Sequence, residues 1–120
     1  MILNDKHFKT MQASLDALWV KQKVVSNNIA NIDTPNFKAS KVSFQHVLNE
    51  KNKEGKATSS AVQIRIDQDT TTSARVDGNN VDLEKEQLAL WETYAHYSYL
   101  SQHVSKTLNQ MRYVINNTGK

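Results

Sequence analysis

The stretch SNNIANIDTPNFKA, Ser26 to Ala39, decides how this chain is divided. It holds the only proline, Pro35. Proline lacks a backbone N–H and pushes the preceding Thr34 away from helical angles, so a helix entering this stretch stops near Asn31 to Asp33. Asn27, Asn28 and Asn31 are poor helix-interior residues by themselves. Their amides suit bonds across helices or a capped bend, with Ile29 and Ile32 facing inward. Asp33-Thr34-Pro35-Asn36 then turns the chain, and Phe37 anchors the exit.

Upstream of the turn, Phe8, Met11, Leu15, Leu18, Val25, Ile29 and Ile32 recur at helical spacing, with Gln22 filling the gap. This is a heptad seam with one polar core position. Asn4 or Asp5 can cap its start. Downstream, Leu83, Gln87, Leu90, Tyr94, Tyr97, Ser101, Val104, Leu108, Met111 and Ile115 alternate at steps of four and three. Asp82 is placed to cap this second helix, and Glu84 and Glu86 put negative charge at the positive end of its dipole. Lys106 and Arg112 lie toward the other end, and Asn116, Asn117 and Gly119 supply the stop.

The expected fold is mainly α. Long N-terminal and C-terminal helices of roughly 40 and 50 Å pack as an antiparallel, coiled-coil-like hairpin, with a short irregular, β-containing middle segment. The corresponding divisions are residues 1–33, 34–80 and 81–120. In the middle, KNKEGKATSS (51–60) reads as a mobile polar loop. Val62, Ile64 and Ile66 alternate with Gln63, Arg65 and Asp67, the pattern of a half-buried strand. Asp77-Gly78 signals a turn, and Arg75-Val76 is the expected partner of the Val62 strand in a small hairpin.

At 120 residues the chain makes one small domain, and its 38% hydrophobic content allows only a modest core. Association with other chains is therefore expected. The absence of cysteine rules out disulfides, thiolate metal sites and cysteine catalysis. No apolar run approaches the 18 or so residues of a membrane span. The start, MILNDKHFK, predicts no ordinary cleaved secretory signal. Net charge is +3, and the lysines are scattered instead of forming one basic face, which predicts no nucleic-acid binding.

Catalytic patterns do not emerge either. His96 and His103 lie two helical turns apart, too far to share one metal, and His7 and His46 stand alone. Glu84, Glu86 and Glu92 sit where a capped, solvated helix start puts them. There is no G-x-S-x-G elbow and no glycine-rich phosphate loop. No enzyme activity, metal, cofactor or small-molecule substrate is expected.

The aromatic residues point elsewhere. Trp91, Tyr94, Tyr97, Tyr99 and Tyr113 all lie on the last helix and do not share one stripe. A single partner helix covers only one stripe, so several neighbours are expected around this helix. Trp19 and Val24 likewise fall off the first seam. Leaving Trp19 wet forgoes about 1.5–3 kcal/mol of burial.

The Asn-Asn-Ile-Ala-Asn run (Asn27, Asn28, Ile29, Ala30, Asn31), followed by Thr34, Pro35, Phe37 and Lys38, resembles the signature of the bacterial flagellar rod, hook and hook-associated protein family. A second match is GNNVDLEKE, Gly78 to Glu86, carrying Asn80, Val81, Asp82, Leu83 and Glu84. Two positions depart from the pattern: Asn36 stands where glycine is common in the family, and Gln87 where an apolar residue is common. The short middle segment has no room for the large β domains of distal rod and hook subunits, which favours the proximal rod.

The resemblance implies an axial structural subunit of the basal body, exported by the dedicated flagellar type III apparatus. Its partners would be copies of itself, other rod proteins, the membrane-ring protein and the rod-base adaptor or export-gate components. The competing reading is a small dimeric coiled-coil adaptor or chaperone that does not assemble axially.

Overall fold

The computed structural model describes residues 6–47 and 61–118. Four elements follow in order: α1 (Lys6–Ala30), β1 (Ser40–Val47), β2 (Ala61–Gln68) and α2 (Leu83–Thr118). The loop expected over 51–60, the cap expected at Asn4 or Asp5 and the stop at Gly119 lie outside the described residues.

Helix α1 is 25 residues long and α2 is 36, or about 37 and 54 Å. They run antiparallel. Asn28 on the last turn of α1 bonds Glu86 on the first turn of α2. Farther along, Ser14, Ala17 and Leu18 line a cleft with His96, Tyr99 and Leu100. Helix α1 ends just before the expected Asn31–Asp33 stop, and Asn31 to Thr34 continue as a tight turn. The Asp82 carboxylate accepts the Glu84 and Lys85 N–H groups at 3.1 and 3.4 Å, capping α2 as expected.

The phase of α2 differs from the expected seam. Leu90, Val104 and Met111 are half-buried, but Tyr94 is 64% exposed. The buried residue beside it is Thr93, whose hydroxyl donates to the Ala89 carbonyl at 2.6 Å. A short side chain that satisfies its own hydroxyl lets the helices approach closely, while the phenol of Tyr94 keeps its polar tip in water. Tyr97 and Leu108 sit near the rim of the face, and Ile115 is well exposed. On α1, Phe8, Met11, Leu15 and Leu18 are half-buried and Val25 is fully buried.

The sheet corrects one expectation. Strand β2 does contain Val62, Ile64 and Ile66, but its partner is β1 and not Arg75-Val76. The pairing is antiparallel, with Val42 opposite Ile66 and Phe44 opposite Ile64. Val42 and Phe44 alternate with Ser43, so β1 carried the same period-two pattern in a shorter form. Arg75 instead accepts the Gly78 N–H through its carbonyl at 2.8 Å, closing a turn, and Val76 is fully exposed. Strand β1 runs back along α1 from the junction. Val42 lies beside Lys21, Val24 and Val25, and Phe44 enters the cleft formed by Leu18 and Leu100. The strand pair thus packs along α1, with Phe44 reaching the cleft that α1 shares with α2. No helix among the described residues is long and apolar enough to cross a membrane.

Candidate functional site

The two distinctive segments meet. Residues 27–41 and 69–86 interlock through three buried asparagines whose side chains bond the backbone of other segments. Asn28, 1% exposed, pairs with Ser40 as a strand would. Its amide donates to the Ser40 carbonyl at 2.8 Å, and its oxygen accepts the Ser40 N–H at 2.9 Å. The same amide reaches Glu86 Oε2 at 3.2 Å. Asn80 accepts the Ala39 N–H at 2.7 Å and donates to the Asp69 carbonyl at 2.6 Å. Asn79, fully buried, aims its amide at the carbonyls of Asn31, Ile32 and Thr34 at 2.8, 2.9 and 2.9 Å, while its oxygen accepts the Val81 N–H at 2.8 Å. These carbonyls lie just past the end of α1, and those of Asn31 and Thr34 also accept the Thr34 and Phe37 N–H groups.

Around this clasp the turn residues fit closely. Asn36 has φ +60°, a left-handed conformation that asparagine tolerates better than most residues. Its N–H donates to the Asp77 carbonyl at 2.9 Å. Gly78 faces it with φ +85° and abuts the Asn36 side chain. Lys38 donates to the Gly78 carbonyl at 2.6 Å, and Arg75 donates to the Ile32 carbonyl. At the surface, Thr34 donates to Asn31 Oδ1 at 3.1 Å, and the Asn31 amide donates to Asn27. Phe37 and Ile29 are half-buried, Val81 is buried, and Ala30, Pro35, Asp82, Leu83 and Glu84 are exposed.

Two carboxylates are perturbed. Asp69 accepts from the Thr71 and Thr72 backbone N–H groups, from both their hydroxyls and, at 3.0 Å, from Lys41. These donors, the Thr72 hydroxyl first, hold its pKa far below the ordinary aspartate range. A depressed carboxylate stabilises the fold above its unfolded value of about 3.9 and loses that contribution as pH falls through the folded value. The wild type should therefore lose thermal stability below about pH 4 more steeply than Asp69→Asn, whose curve should be flatter there. Parallel curves in melts from pH 6 to 2.5 would contradict this. Glu86 is shifted upward, chiefly by burial and further by the Asp82 charge, against the lowering effect of the Asn28 bond. Its contribution has the opposite sign: it is fully present below the unfolded value and fades as pH rises through the raised folded value.

The second feature is what the clasp leaves uncovered. Trp19 is 52% exposed, with the Lys23 ammonium 3.6 Å over its ring. Trp91 and Tyr94 flank a groove of about 630 Å³ with Gln22, Ser26 and Leu90. From Tyr94 a longer groove of about 1190 Å³ follows α2 past Ser98, Ser101 and Ser105 to Tyr113 and Val114. Its floor is short serine and its ends are aromatic, which suits close approach of another helix. Tyr99 stacks on His103 with ring centroids 6.5 Å apart, also in the open. Among the described residues, no group of three or more His, Asp or Glu side chains is placed to hold a metal ion.

The sequence reading brought Asn28 and Asn80 into the candidate set but passed over Asn79, Asp69 and Ser40. Asp69 carried a signal, since Asp-Thr-Thr-Thr is a side-chain-to-backbone turn pattern. Ser40 carried none.

Comparison with known proteins agrees with this geometry. The family model described as flagella basal body rod protein matches residues 11–38, which span most of α1 and the turn. The flagellar basal body rod protein FlgB of Bacillus subtilis (strain 168) is 34% identical over 117 residues, covering 89% of this chain and 91% of that protein. The chain belongs to the FlgB family of flagellar basal body rod proteins. The FlgB proteins of Borrelia hermsii and Aeromonas hydrophila are 32% and 33% identical, covering 79% and 69% of the chain. Membership of the FlgB family makes the chain a structural subunit of the basal body rod. The coiled-coil adaptor or chaperone reading is not favoured.

Proposed function

We propose that the chain enters the proximal rod as a preformed hairpin corner whose uncovered aromatic face is closed by neighbouring rod subunits. Those neighbours are copies of itself and other flagellar rod proteins. Repeating one heterologous contact yields a helical shaft that transmits motor torque, and aromatic side chains supply large contact area between its subunits. The single observation that supports this reading is the exposure of Trp19, Trp91, Tyr94 and Tyr113 on a long helix pair whose strands pack along α1. At the rod base, contacts with the membrane-ring protein and with adaptor or export-gate components belong to the same proposal, as does delivery through the flagellar type III apparatus. A chain delivered that way must order its helices after transit, and isolated helix ends without packing partners are marginal in water.

Residues of the seam and of the two motifs divide the work. Asn28, Phe37, Asn80 and Val81 hold the corner, while Tyr94, Tyr97, Leu108 and Ile115 face the neighbours. Labelled chain should be recovered in isolated basal bodies at the rod base, and cells lacking it should be non-motile with basal bodies that end at the membrane ring. Complete rods in those cells would refute the proposal.

A further inference from the structure

We infer that Asp77–Gly78 is a latent isoaspartate-forming site that the closed clasp keeps shut: the open chain isomerises there, and a chain so altered cannot close again. The inference stands on sequence and hydrogen bonding and does not depend on the rod reading.

The chemistry needs only the chain and water. The Gly78 backbone nitrogen attacks Cγ of the Asp77 carboxyl group, and a C–N bond forms. The carboxyl hydroxyl departs as water with the Gly78 amide proton, leaving a five-membered succinimide. Water then adds to one of the two ring carbonyls and breaks its bond to nitrogen. Opening at the side-chain carbonyl restores aspartate. Opening at the main-chain carbonyl routes the backbone through Cβ and gives isoaspartate. Glycine is the most permissive following residue, because no side chain shields its nitrogen or restricts its rotation. Asp77 is the only Asp or Asn in the sequence that glycine follows.

The fold holds the reacting groups still. The Gly78 N–H donates to the Arg75 carbonyl at 2.8 Å, and the Asp77 carbonyl of the same peptide unit accepts the Asn36 N–H at 2.9 Å. This peptide is pinned at both polar ends, so its nitrogen cannot swing toward the carboxyl group. The carboxylate is pinned too. Its Oδ1 accepts the Asn79 N–H at 3.1 Å and lies 3.9 Å from Arg75 Nε. Beyond the nitrogen, the Gly78 carbonyl accepts from Lys38 at 2.6 Å. Ring closure breaks at least the Gly78–Arg75 bond, so it waits for the turn to open.

The product does not fit. Isoaspartate adds one methylene to the main chain at position 77. The turn around it has no slack, since the Arg75 N–H also donates to the Asn79 carbonyl at 2.8 Å and the Asn36 side chain abuts Gly78. Lengthening this turn displaces Asn79, whose amide must meet the Ile32 and Thr34 carbonyls at 2.9 Å. Isomerisation therefore marks chains that stay open and removes them from the population able to close.

Ageing the full-length chain in warm, mildly acidic buffer, with and without guanidinium chloride, tests this. Cleavage after Arg75 and Lys85 releases residues 76–85, in which electron-transfer fragmentation locates isoaspartate at Asp77 or at Asp82, the internal reference. In denaturant, position 77 should isomerise well ahead of 82. In native buffer its rate should fall about tenfold or more. Chains aged in denaturant are then returned to native buffer and treated briefly with protease. The intact survivors should be depleted of isoaspartate at 77. Three results overturn the inference: no preference for 77 over 82 in denaturant, equal rates at 77 with and without denaturant, or survivors as rich in isoaspartate as the digested chains.

Discussion

Gly78→Ala should destabilise the clasp by about 2–4 kcal/mol, the largest effect expected of any single methyl group in this chain. Two causes combine. Gly78 holds φ +85°, where an L side chain costs about 1–2 kcal/mol. A Cβ there would also collide with the Asn36 side chain and come within 3.3 Å of the Asn36 Cα. Asn36 cannot easily yield, because it is itself left-handed and its N–H is committed to Asp77. Relief would have to come from the turn that carries Asn79, so the damage should spread to the end of α1. Val76→Ala, two residues away at a fully exposed position, should stay within about 0.5 kcal/mol of wild type. Urea denaturation of both variants separates the outcomes, and equal midpoints would show that the Asn36–Gly78 contact carries no strain.

Trp91→Asp should abolish motility while leaving the free chain's clasp intact. Trp91 is 72% exposed in the single chain, so the substitution removes little intramolecular packing. If neighbours bury that ring, burial contributes about 1.5–3 kcal/mol per subunit, and an unpaired carboxylate there adds a desolvation penalty of several kcal/mol. The loss recurs in every copy added. Leu108→Asp, at 38% exposure, should act the same way from the far half of α2. The measurement is swimming in cells carrying only the variant, paired with hydrogen exchange on the purified variant. Normal swimming with Trp91→Asp would mean that the groove beside Tyr94 is not an assembly surface. Lost swimming with a lost clasp would assign the defect to folding instead.

Much of this architecture was legible because its causes are local. Pro35 ends α1, Asp82 starts α2, and helical periodicity between Phe8 and Ile115 needs no partner to be recognised. What stayed hidden depends on closure in three dimensions. Strand β1 offers only Val42 and Phe44 as an alternating pair, and its pairing with Ile64 and Ile66 bridges a separation in the sequence that obscures the match. The phase of α2 was misassigned by treating tyrosine as core. Thr93 takes the inward place because its hydroxyl is satisfied by Ala89, a bond no hydropathy pattern records. Asn79 looks like one polar residue in a turn until the three carbonyls it serves are seen to converge. The aromatics that fall off the seams, Trp19 and Trp91, remain open in the folded chain.

The most direct measurement is a density map of the basal body resolving side chains at the rod base. The account predicts this chain there, with Trp19, Trp91 and Tyr94 packed against helices of adjacent subunits and the Asn79 clasp closed. Finding those rings facing solvent or the central channel, or the rod base built without this chain, would contradict it.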